Sequence, residues 1–76
     1  MKHVDENSSF ALEQLIDKTS VQAVLEAIAE ICDEKAAHIE QAWQDEKLAK
    51  IWARAARKVE VCATAVGKIF LPSNLL

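Results

Sequence analysis

Glycine and proline are almost missing from this chain. One of each occurs among its 76 residues, Gly67 and Pro72, so residues 20 to 69 contain no helix-breaking proline and a single glycine. One glycine cannot build a phosphate-cradling loop. Tyrosine is absent and only two histidines are present, which leaves little material for acid–base or nucleophilic catalysis. Ser8, Ser9, Thr19, Ser20 and Ser73 fall at expected helix ends or in the tail, where capping accounts for them. Long apolar runs are lacking too, since none approaches the roughly 18 to 20 residues of a membrane span. Met1-Lys2-His3 is followed by Val4-Asp5-Glu6-Asn7, polar and acidic where the apolar part of a secretion leader would sit. These shortages predict a cytoplasmic protein with no membrane partner.

Charge of one sign is also scarce. A net charge of −3 and an isoelectric point near 5.3 provide no bulk basic field for nucleic acid or anionic lipid, although a local patch remains open. Both cysteines, Cys32 and Cys62, lie within apolar stripes and not in loops. Facing each other across a helical hairpin they would be offset by about 4 to 5 Å along the axis, a poor arrangement for a disulfide. The expectation is two reduced, buried, small hydrophobic residues.

What the chain does contain is helical periodicity. At about 100° per residue, Val21, Val24, Leu25, Ile28, Ile31, Cys32, Ile39 and Trp43 form one stripe. Leu48, Ile51, Trp52, Ala55, Val59, Cys62, Val66 and Ile69 form a second stripe pointing in nearly the opposite direction. A single straight helix would leave one of them unused. A reversal at Gln44-Asp45-Glu46 lets the two stripes face each other. The spacing predicts helices over about 9–18, 20–43 and 46–69, after a flexible N-terminus at 1–8 and before a tail at 71–76 that Pro72 keeps from continuing the helix. Thr19-x-x-Gln22 has capping-box spacing, and Asp45 is placed to cap the last helix with Glu46 in its first turn.

Several clusters invite a functional reading. Ala49, Ala53, Ala56, Glu60, Ala63 and Gly67 form a small-residue stripe in 4-3-4-3-4 spacing on the side away from the large apolar one. Such a smooth face suits close helix packing, and Ala49, Ala53, Ala56, Ala63 and Gly67 are the expected dimer interface. Lys47, Lys50, Arg54, Arg57 and Lys58 form a basic stripe that a nucleic-acid binder would use. Glu26, Glu30, Asp33, Glu34 and Glu40 are available to balance it, and Trp52 belongs to the apolar seam instead of the basic side. Glu30, Glu34 and His38 recur every four residues, whereas di-iron helical bundles use Glu and His three apart. Lys35 falls either in the seam, where its stem must snorkel or its ammonium must find a carboxylate, or at the seam's edge.

The segments Leu15-Ile16-Asp17-Lys18-Thr19-Ser20, Val24-Leu25-Glu26-Ala27, Glu34-Lys35-Ala36-Ala37-His38-Ile39, Trp43-Gln44-Asp45-Glu46 and Trp52-x-x-Ala55-Ala56 resemble a type of small uncharacterised bacterial helical protein over residues 12 to 60. That resemblance implies a bacterial origin and a helical fold, and it transfers no site.

The expected architecture is all-α: a short N-terminal helix, then a long antiparallel helical hairpin, assembled as a dimeric helical bundle because so short a chain makes only a marginal core alone. The expected function is non-catalytic. A homodimer would present a helical surface to an unknown protein partner, with no cofactor and no metal. The alternatives are a nucleic-acid-binding regulator using the basic stripe and a metal-binding helical bundle.

Overall fold

A computed structural model describes residues 3–70, so the expected tail at 71–76, with Pro72, lies outside the described residues, as do Met1 and Lys2. Three α-helices follow one another: α1 (Glu6–Lys18), α2 (Val21–His38) and α3 (Glu46–Ile69). No strand occurs among the described residues. Each helix begins on an oxygen-bearing side chain. Asp5 accepts from the Ser8 amide, Ser20 from Ala23 at 2.9 Å and Asp45 from Leu48 at 3.0 Å, each satisfying one of the amide donors that a helix start leaves unpaired. Glu6 and Glu46 sit in positive first turns, and Lys18 and Lys68 in negative last turns. The cap of α2 is Ser20 and not the expected Thr19. Thr19 instead closes α1, where its amide and hydroxyl both donate to the Leu15 carbonyl, at 3.1 and 2.8 Å.

The chain reverses where the two stripes change sides. A π-helical turn, Ile39–Trp43, widens the end of α2, and Gln44 follows in the left-handed region at φ 54°, ψ 32°. A side chain there carries a steric cost of about 1 kcal/mol or more that glycine would avoid.

The seam of the hairpin overturns one expectation. Its core consists of Val24, Ala29, Cys32, Ala36 and Ile39 from the α2 side against Ala49, Ala56 and Ala63 from α3, with Gly67 also buried. Of the residues expected to meet a second copy, Ala49, Ala56, Ala63 and Gly67 are therefore enclosed within one chain, Ala53 is half-buried, and Ala56 is 0% exposed. The reason is geometric. Ala49, Ala56 and Ala63 recur every seven residues, as do Ala29 and Ala36, so two lines of methyl groups interlock and let the helix backbones approach closely. The wider stripe of large residues cannot occupy so narrow a line and falls to one flank. At the open end Gly67 meets the Gln22 side chain, where an added Cβ would collide with the movable amide.

α1 packs little. None of its residues is buried, only Ile16 is half-buried, and Phe10, Leu12 and Leu15 remain 60%, 41% and 47% exposed. The molecule measures 49 × 30 × 20 Å with a radius of gyration of 15.0 Å, against about 11 Å for a compact chain of this length.

Three stability outcomes follow, all readable by thermal and urea unfolding. Asp45→Ala should cost about 0.5 to 2 kcal/mol through loss of the cap. Gln44→Gly should stabilise by about 1 kcal/mol, whereas Gln44→Val should destabilise. Ala56→Glu should reduce helicity outright, because a carboxylate enters a fully enclosed site. Hydrogen bonds from the Ser8 backbone and side chain hold the exposed Asp5 carboxyl below its ordinary pKa of 3.8. The folded value being the lower one, the cap is intact above that range and is lost as pH falls through it, so α1 should fray first on acidification, seen as chemical-shift change at the Ser8 amide.

Candidate interaction surface

Burying the alanine line leaves the large apolar residues on one broad side of the hairpin. From α2 come Ile28 and Ile31, 38% and 51% exposed, and from α3 come Ile51 and Ile69 at 58% and 63%. Trp52, Ala55, Val59 and Val66 are half-buried between them. Helical geometry places these α2 and α3 residues on the same side of the seam, because in an antiparallel pair equal rotations away from the contact line carry both flanks to one face. The Lys35–Trp52 contact across that side agrees, with the ammonium 5.5 Å from the ring centroid.

At the turn end this face deepens into a cavity of about 550 Å³ lined by Lys35, His38, Ile39, Trp43, Leu48 and Trp52. Trp43 is 65% exposed, and its ring meets the His38 ring edge-on at a centroid distance of 6.4 Å. The two tryptophans therefore share one groove. Of the two placements its spacing allows, Lys35 takes the edge and not the seam. It is exposed on the flank and finds the electron-rich face of Trp52, an attraction worth about 0.5 to 1 kcal/mol at such a site. The signal was present in the sequence as hairpin register: a turn centred near residue 44 brings positions 35 and 52 opposite each other.

The basic residues Lys47, Lys50, Arg54, Arg57 and Lys58 are all exposed on α3. On the other side of the hairpin, a smaller cavity of about 280 Å³ is lined by Glu40, Glu46 and Lys50 with Ala36, Ala49 and Ala53, so part of the strip has carboxylates beside it. Glu30, Glu34 and His38 do not converge on one point, and among the described residues no group of three or more His, Cys, Asp or Glu side chains is placed to hold a metal ion. Among those same residues, no helix is long and apolar enough to cross a membrane.

The cysteines separate. Both are free, Cys32 buried in the seam and Cys62 exposed on the large-residue flank, which corrects the expectation that both are enclosed. The cause is again the rotation of α3: Cys62 belongs to the stripe that the alanine line displaces.

Compared with known proteins, the chain matches no family, no curated protein and no solved structure. The resemblance to small bacterial helical proteins thus rests on its own residues alone.

Two outcomes test this placement. A thiol reagent should modify Cys62 rapidly in the native protein and Cys32 only on unfolding. Lys35→Met should leave the fold intact and shift Trp52 fluorescence while Trp43 emission is unchanged, a comparison made in Trp43→Phe and Trp52→Phe backgrounds.

Proposed function

We propose that this protein is a non-catalytic helical interaction module that acts as a homodimer, pairing through the large-residue face of the hairpin and presenting the remaining helical surface to a macromolecular partner. One observation carries the reading: the seam is lined mainly by alanine, while four isoleucines of the two long helices stay outside. Among the described residues, five of the eight buried apolar ones are alanine, while Ile28, Ile31, Ile51 and Ile69 are exposed. Burying a methyl contributes about 0.8 kcal/mol, less than the roughly 1 to 2 kcal/mol needed to order one residue's backbone. The exposed isoleucines hold apolar area that could offset that ordering. The accessible surface of 6497 Å² compares with roughly 4600 Å² for a compact monomer of 8.4 kDa, an excess larger than the roughly 800 Å² that a standard interface takes from each partner. A closed two-fold dimer is the commonest arrangement that covers such a surface.

The test is sedimentation equilibrium at micromolar concentration. The parent chain should be a dimer, and Ile31→Glu should weaken it at least tenfold with helicity retained, since that residue is already exposed within one chain. A monomeric parent refutes the proposal.

A second reading uses the strip of Lys47, Lys50, Arg54, Arg57 and Lys58, which is exposed and lies outside the apolar face. If it contacts nucleic acid, the purified protein should retain fragments that elute in salt, and Arg54→Glu with Arg57→Glu should abolish that retention.

A further inference from the structure

The hairpin face is not the only apolar surface without a partner. α1 is amphipathic with no buried residue, and Leu12, Leu15 and Ile16 line one side of it while Glu6, Glu13 and Asp17 line an adjoining flank. We infer that α1 of one copy lies on the hairpin face of a second copy, so that the homodimer is reciprocal and each face is covered by the other chain's N-terminal helix. This rests on the dimer proposed above and names the segment that does the covering.

Three features of the chain point to that occupant. The first is the corner between α1 and α2. Only Thr19 and Ser20 separate the helices, and both are committed: Thr19 closes α1 through two bonds to the Leu15 carbonyl, and Ser20 caps α2 through the Ala23 amide. Folding α1 over its own hairpin would require that corner to change, whereas a second copy's α1 reaches the face with both caps intact. The second is size. α1 has 13 residues and is about 20 Å long, and the apolar flank of α3 from Leu48 to Ile69 runs about 32 Å, so one such helix covers most of one face. The third is charge. The apolar flank of α3 borders the basic strip at Lys47, Arg54 and Lys58, all exposed, and the Glu6, Glu13 and Asp17 flank of an incoming α1 supplies the opposite sign beside its leucines.

Cys62 is a built-in reporter, since it is free and exposed on that face. Full-length Leu12→Cys and Leu15→Cys variants are each prepared in isotopically heavy and light forms, mixed, unfolded and refolded together so that subunits exchange, oxidised with diamide and mapped by mass spectrometry. The expected product in at least one variant is a heavy–light disulfide between the introduced thiol and Cys62. In parallel, Leu15→Glu should weaken the dimer at least tenfold in sedimentation equilibrium with unchanged circular dichroism. If the chain is a dimer but both variants give only Cys62–Cys62 links, or no link between copies, the faces pair without α1 and this inference falls while the dimer stands. Links confined to one isotope form mean that α1 covers its own hairpin, which also overturns it. A monomeric parent overturns both.

Discussion

Everything in this molecule follows from how closely α2 and α3 approach. Ala49, Ala56 and Ala63 lie seven residues apart on α3, against Ala29, Cys32 and Ala36 on α2, so the middle of that contact line is made of methyls and a thiol, with Val24 and Ile39 toward its ends. Close approach gains dispersion contacts along the backbones and sets the register. It also fixes the rotation of both helices about their axes. Once the small residues point inward, about 100° per residue determines where every other side chain goes.

That rotation produces the surface. Ile28, Ile31, Ile51, Ile69, both tryptophans and Cys62 move from the expected core to the flank, while Lys47, Arg54 and Lys58 border them on α3. The seam is well made but thin, so the chain's larger apolar residues are available for contacts outside the hairpin. The groove at the turn end is a local consequence of the same arrangement. The π turn opens the end of α2, the left-handed Gln44 sends the chain back, and Trp43, Trp52, Lys35 and His38 are gathered around the gap.

α1 stands apart in this logic. Its helix is secured by local devices, the Asp5 cap at one end and Thr19 at the other, and not by tertiary burial. A 13-residue helix is marginal on local interactions alone, so its leucines gain by finding a surface. The chain therefore pairs an uncovered face with an uncommitted helix, and the homodimer proposed here brings the two together.

The sequence by itself determined the helical class, the two long helices, the point of reversal and the Asp45 cap, because each depends on neighbours within one turn: periodicity, a capping oxygen, the scarcity of glycine and proline. It also displayed the alanine line with its correct spacing. Which of the two stripes on α3 faces α2 was a different kind of question. Hydrophobicity favours the large stripe, whereas close packing favours the small one, and both have helical periodicity, so periodicity cannot choose. Only the tertiary structure decided it, through the fit of one helix surface to another, and with it the exposure of Cys62, the meeting of Lys35 with Trp52 and the identity of the face left open.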